Sequence, residues 1–240
     1  MRAQVPVRTW QEWQGVAPGS LQADLVLHCG ETTAGRYLAT LTTVDRATGW
    51  MALGVLPQLQ GYRVEQELDF LRKGLPFLLR SLHTDNGAEF LNQWVVPWCQ
   101  RYRVALSRGR PYRKNDQALV EQRNWSAIRR VVGYDRLEPA ALPLMRALYA
   151  HLTLQLNFVR PLRKLVAKQR VGARVLKRYD LPQTPYQRVV ASGVLSSRAR
   201  VALARQADAI NPAALQREIL HLLAQLWHHA TPLAEPPPLG

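Results

Sequence analysis

The sequence predicts an α/β fold on two observations. Runs of β-forming residues alternate with stretches of helical periodicity through the first 135 residues, and 47% of the chain is apolar, which excludes disorder throughout. At 240 residues there is room for one sizeable core and an appendage, on a prior of about 100–200 residues per domain.

Residues 1–20 hold Pro6, Trp10, Trp13, Gly15, Pro18 and Gly19 and read as an irregular lead-in that packs aromatics on the core. ADLVLHC is a buried strand, and YLATLTTVD and WMALGVL supply two more. Turn residues at 31–35 and 45–49 separate the three, so an antiparallel meander is expected. Val64, Leu68 and Leu71 recur at helical spacing over residues 60–73, and the Gly74 to Pro76 segment ends that helix. FLLRSLHTD is a strand that delivers Asp85 at its polar end. EFLNQWVVPWCQRYR is a helix that Pro97 should kink or break. VALSRGRP is a fifth strand, and KND opens a helix carrying Glu121, with Asn115 or Asp116 as its N-cap. The order β-β-β-α-β-α-β-α is that of an RNase H-like core.

Residues 140–158 and 211–228 are expected to be helices, with a basic stretch between them in which Tyr179, Pro182, Pro185 and Tyr186 mark an extended crossing. The tail AEPPPLG is expected to be disordered or polyproline II. The implied organisation is a lead-in (1–20), a core (21–135), a basic, mainly helical C-terminal extension (136–230) and a disordered tail (231–240).

Several function classes are excluded by composition. No apolar run approaches the roughly 20 residues that span a bilayer, and MRAQVPVRTWQEW has no signal-peptide h-region, so a cytoplasmic protein without membrane contact is expected. Cys29 and Cys99 form neither a CxxC pair nor a disulfide framework. His28, His228 and His229 are read as structural, since neighbours on a strand point to opposite faces. The net charge of +15 is concentrated: residues 101–200 carry 22 Lys/Arg against 5 Asp/Glu, whereas residues 1–100 carry 8 against 9. A strongly basic, Arg-rich block of this kind suits a phosphate backbone.

Three carboxylates stand where apolar segments meet polar ones. Asp24 interrupts an apolar strand, where an uncompensated charge costs several kcal/mol. If Leu25 and Leu27 face one side, Asp24 and Val26 face the other. Asp85 sits in TDNGAEF, which is also ordinary turn chemistry, and Glu89 competes with it for any role. Glu121 shares a helix face with Gln117, Asn124, Trp125 and Ile128.

With 35 residues between Asp85 and Glu121, these acids resemble the D, D(35)E triad of integrase-core (DDE) transposases and retroviral integrases. The resemblance extends through PGSLQADLVLHCGETTAGRYLATLTTVDRATGW, LRSLHTDNGAEF, RPYRKNDQALVEQRNWSAIRRVVGYDR and RYDLPQTPYQRVV, about residues 6–190, and is to bacterial insertion-sequence transposases. It implies an RNase H-like core that cleaves DNA 3′ ends and transfers strands. Asp24, Asp85 and Glu121 would hold two Mg²⁺ ions, for which Mn²⁺ could substitute, and no small-molecule cofactor is implied. Hard cations take carboxylate oxygens, and two ions can stabilise both attacking and leaving groups.

The partners implied are transposon-end and target DNA, bound by a homo-oligomer in the bacterial nucleoid. Arg110, Arg113, Lys114, Asn115, Gln117, Arg123, Asn124 and Arg130 are the expected DNA contacts, with Arg108 and Arg129 beside them. Tyr112 and Trp125 are expected to pack on the core, with base stacking as the alternative. The sequence departs from the family at Gln117, where Asn is usual, and at Leu119, where His is frequent. The family's N-terminal helix-turn-helix is not seen, so a catalytic portion of a longer or split protein is expected. A nuclease that cuts without joining and a catalytically silent DNA-binding or assembly fragment are the alternatives.

Overall fold

A computed structural model describes residues 2–9, 12, 15–111, 113 and 116–231. Trp10, Trp13, Tyr112, Lys114, Asn115 and the tail from 232 onward lie outside the described residues.

The expected meander is present: β1 (Ser20–Leu27), β2 (Ala39–Asp45) and β3 (Met51–Leu56) pair antiparallel. Helix α1 (Gly61–Gly74) buries Val64, Leu68 and Leu71 as the spacing requires. It leads to β4 (Ser81–Thr84), α2 (Val95–Arg101) and β5 (Ala105–Arg108). The sheet order is β3-β2-β1-β4-β5, with β4 parallel to both β1 and β5. This mixed five-stranded sheet flanked by helices is an RNase H-like core.

The helix expected before β5 is much shorter than its sequence pattern. The Asn92 side chain accepts from the amides of Trp94 and Val95 at 2.9 Å, which starts α2 late. Pro97 thus falls in the first turn, where its missing N–H costs nothing, and produces no break. β4 is likewise confined to the last four residues before Asp85.

After β5 come α3 (Ala118–Arg123), a π-helical segment (Asn124–Arg129) and α4 (Arg130–Val132), which form one continuous rod. β6 (Arg136–Leu137) and α5 (Leu142–Leu154) follow, with a π turn at Gln155–Val159. The expected extended crossing is instead a hairpin of β7 (Leu165–Val171) and β8 (Arg174–Tyr179), then α6 (Pro185–Ala191) and α7 (Ser197–Asp208). Helix α8 (Pro212–Trp227) opens on Asn211, whose side chain accepts from two backbone amides, and β9 (Ala230–Thr231) pairs with β6. No helix among the described residues is long and apolar enough to cross a membrane.

Strand alternation divides the core in two. Leu21 and Ala23 of β1 face a cluster with α1, α2 and Val189 of α6, while Val26 faces Ile128, Leu148 and Leu223 on the other side. Helices α5 and α8 join that second cluster, so the core does not stop at residue 135.

The start of β1 is tied to the β2–β3 turn by one buried carboxylate. Asp45 accepts from the amides of Gly19 (2.8 Å), Ser20 (3.2 Å) and Thr48 (2.8 Å) and from the Thr48 hydroxyl (2.8 Å). Asp45→Ala leaves three buried amides unpaired and is expected to lower stability by about 2–4 kcal/mol, read as a drop in urea midpoint at unchanged slope.

Candidate active site and nucleic-acid interface

The face of β1 that carries Asp24 is a polar ladder against the helical rod. Gln22 Nε2 donates to the Asp116 carbonyl at 2.9 Å, and Asp24 Oδ2 accepts from Asn124 Nδ2 at 2.7 Å. His28 Nε2 meets Thr40 Oγ1 at 2.7 Å, and Thr40 bonds onward to Tyr149. Burial pushes His28 down to about 3, so it is a neutral core residue, as its strand position suggested. Arg129 closes the ladder by donating to the Leu27 carbonyl at 2.9 Å.

The parallel pairing of β1 with β4 runs from Ser20–Ser81 to Gln22–His83; Asp24 lies two residues further along β1 and Asp85 just past the end of β4, so both stand toward the same end of the paired strands. Asp24 is half-buried and Asp85 exposed. Asp85 Oδ1 accepts from the Gly87 amide at 2.9 Å, the turn role its sequence suggested. Glu89 lies close by: a Cβ on Gly87 would sit 2.6 Å from Glu89 Oε2 and 2.9 Å from Asp85 Oδ1, so a side chain at 87 would displace one or both carboxylates.

Glu121 is exposed on α3, one turn before Asn124. Burial raises the Asp24 carboxyl to about 6; the Leu25 amide and Asn124 oppose this, and the charges of Asp85 and Glu121 add to it. The three acids thus share one electrostatic neighbourhood. As placed, no group of three metal-ligating side chains among the described residues is close enough to hold an ion. In chemistry the residues fit a divalent cation: hard oxygen donors from three elements, with mutual repulsion that a cation would relieve.

The expected DNA contacts are differently disposed. Arg110 grips Asp116 with two guanidinium nitrogens at 2.9 and 3.0 Å, and its backbone amide donates to the same carboxylate. Asp116 is 1% exposed at its side chain and does not cap α3; the N-cap is Gln117, without a side-chain cap bond. Gln117 and Asn124 are both buried, and Gln22 Oε1, both Gln117 amide atoms and Asn124 Oδ1 have no partner among the described residues. Arg123 is half-buried, and burial lowers its pKa. Arg113 and Arg130 are exposed. Arg108 is occupied structurally, donating to Asn86 Oδ1 at 2.8 Å and the Val5 carbonyl at 3.1 Å.

Trp125 does not pack on the core: its ring is 55% exposed, with the Arg130 guanidinium 5.2 Å from its centroid. Sequence reasoning also missed the π-helical turn that begins at Asn124. Such turns often mark functional sites, but no residue pattern announces one.

Residues 17–114 match the family described as integrase core domain. The match ends before Glu121. An uncharacterized protein of Sinorhizobium fredii, y4rM, is 40% identical over 189 residues, covering 78% of this chain and 54% of that protein; this chain thus spans about half the length of that relative. Among solved structures, the simian T-cell lymphotropic virus intasome in complex with the PP2A regulatory subunit B56 gamma aligns with a TM-score of 0.52 at 16% identity, over 77% of this chain and 58% of that one. That likeness is one of fold. The catalytic core of BIV integrase (TM-score 0.47, 20% identity, 72% of this chain and 95% of that one) also aligns. So does the dimeric HTLV-2 integrase catalytic core in complex with magnesium (TM-score 0.47, 19% identity, 62% and 93%).

The raised Asp24 carboxyl yields a test in metal-free protein. A folded-state pKa above the unfolded 3.8 means that the native state favours the protonated form, so the contribution is fully present below pH 3.8 and is lost as pH rises through about 6. Asp24→Asn imitates the protonated form at every pH. In EDTA it is expected to match the wild type near pH 3.5 and to exceed it by roughly 1–2 kcal/mol at neutral pH, by urea titration. Adding Mn²⁺ should stabilise the wild type and not the variant.

Proposed function

We propose, from the premise that residues 17–114 form an integrase core domain, that this chain is the catalytic portion of a transposase or integrase that cleaves a DNA 3′ end and joins it to target DNA. The observation that supports this reading is that Asp24 on β1 and Asp85 just past the end of parallel β4 lie in one field with Glu121, the charges of Asp85 and Glu121 both raising the Asp24 carboxyl.

Asp24, Asp85 and Glu121 would hold two Mg²⁺ ions, with Mn²⁺ able to substitute. When bound, the ions neutralise charge on the attacking and leaving oxygens of an in-line displacement. Asn124 holds one Asp24 oxygen by a 2.7 Å bond and so fixes how that carboxylate is presented. Exposed Arg113 and Arg130 bind phosphates and half-buried Arg123 adds positive charge to the helix, while Gln117 and Asn124, expected as DNA contacts, are buried and shape the helix from within. Lys114 and Asn115 belong to the same segment, and Arg110 shapes it through Asp116. Catalysis then rests on positioning and charge neutralisation without a covalent enzyme intermediate.

The partners in this reading are DNA ends and target DNA, held by a homo-oligomer at the bacterial nucleoid. Residues 21–135 carry the chemistry, and α5 and α8 of the 136–230 extension complete their core. A catalytically silent DNA-binding fragment is favoured by one observation, that the three acids do not come together as a three-ligand metal group among the described residues.

The deciding measurement is strand transfer from a pre-cleaved duplex end in Mn²⁺, alongside calorimetric Mn²⁺ titration. Asp85→Ala is expected to reduce joining by at least ~10³-fold, while DNA retention stays within about twofold. Undiminished joining in Asp85→Ala would refute the site. Absence of any Mn²⁺ uptake by the wild type, with DNA still retained, would establish the silent fragment instead.

A further inference from the structure

The hairpin of β7 and β8 has no place in the core. Every residue from Leu165 to Tyr179 is exposed, and the ribbon pairs only with itself. An isolated two-stranded hairpin is marginal in water, so a ribbon kept in this form calls for a reason.

Its ends are held with care. The Asp180 amide donates to the Lys164 carbonyl at 3.0 Å, while the Asp180 carboxylate accepts from the Lys164 amide at 2.6 Å and from Arg188 at 2.7 Å. Lys164 Nζ donates to the carbonyls of Arg46 and Ala47 at 3.0 and 2.6 Å, anchoring the base to the β2–β3 turn. At the far end, Gly172 turns the chain at φ 58° with open space around it, the left-handed conformation a tight hairpin needs. A pinned base and an uncovered body describe a projecting contact element.

Its charge names the occupant. Lys168, Arg170, Arg174, Lys177 and Arg178 are cations, and residues 165–179 contain no acid. Lys168 lies directly opposite Lys177 in the ladder, a like-charge pair that destabilises the isolated ribbon and that a polyanion between them would relieve. Large apolar side chains are interleaved, Val166 at 55% and Leu176 at 56% exposed among them, which a merely solvated basic surface does not require. Two antiparallel strands are the width that enters a DNA major groove.

The anchor also fixes which end of the molecule the ribbon serves. Arg46 and Ala47 follow Asp45, which pairs with Leu21 at the beginning of β1, whereas Asp24 and Asp85 lie further along β1 and beyond the end of β4. The ribbon's base is therefore anchored beside the start of β1, at the turn whose strand partner Leu21 is three residues before Asp24, and the acids lie toward the other end of that strand. We propose that the β7–β8 ribbon is a second duplex-DNA contact, engaging a groove and its phosphates apart from the DNA at the acids. It shares its ligand with the reading above but not its site.

Fluorescence anisotropy of the full chain on a labelled mixed-sequence duplex, in EDTA across a salt series, tests this without chemistry. Lys168→Gln/Arg170→Gln/Lys177→Gln is expected to weaken binding by at least ~10-fold at about 0.15 M salt and to reduce the slope of log affinity against log salt by roughly 2.7, about 0.9 for each phosphate no longer neutralised. Lys168→Arg/Lys177→Arg should retain both, and the triple variant's thermal melt should match the wild type's. An unchanged slope in the correctly folded triple variant overturns the proposal. So does an unchanged slope with loss of self-association in sedimentation, which would make the ribbon a contact between copies. Asp85→Ala is expected to keep the full slope, so a failure of the catalytic reading leaves this result intact.

Discussion

Gln22 lies opposite His83 at the last rung of the parallel pairing of β1 with β4, and that register sends Asp24 and Asp85 toward the same end of the two strands. A slip of one residue would turn Asp24 away from the helical rod and drive Ala23 out of the opposite core cluster. The register is fixed further by Asp45, which gathers the amides at the start of β1. The geometry of the acids is thus inherited from apolar burial on the far side of the sheet, where Leu21, Ala23 and Leu41 cannot be moved without opening a cavity.

Legibility in the sequence follows the same division. β1 is readable because alternation and burial agree: Leu21 and Ala23 on one face, Asp24 and Val26 on the other. The antiparallel meander and α1 are readable for the same reason. The ribbon is not, because a strand pair that covers no core shows no alternation of apolar and polar residues, and its many cations resemble a solvated loop. The late start of α2 depends on where the Asn92 side chain turns, a local competition that periodicity does not report.

At the site, residue type is more legible than disposition. The spacing of Asp24, Asp85 and Glu121 is visible, yet nothing in the sequence separates Arg110, engaged by Asp116, from Arg113, which is exposed. Asp116 resembles a helix cap because acids often are; it pairs instead with an arginine six positions earlier, and a bidentate ion pair outcompetes a single cap bond. Val120, Asn124, Ala127, Ile128 and Val132 form the buried face of the rod, and Trp125, one residue past Asn124, falls off it and remains outside.

Charge bears on why the acids stand apart. Three carboxylates facing one space repel, and the only donors on Asp24 among the described residues are the Leu25 amide and Asn124, neither of which carries charge. Exposed Glu121 escapes the repulsion by remaining in solvent, at no packing cost. Closing the gap requires positive charge between the acids and a helix able to rotate slightly at its start. The π turn begins at Asn124, and Asn124 and Gln117, the N-cap of α3, hold buried polar atoms with no partner among the described residues. Buried polar groups left in this condition are poorly compensated as they stand, and so is the Asp24 carboxylate, whose burial is opposed only by the Leu25 amide and Asn124.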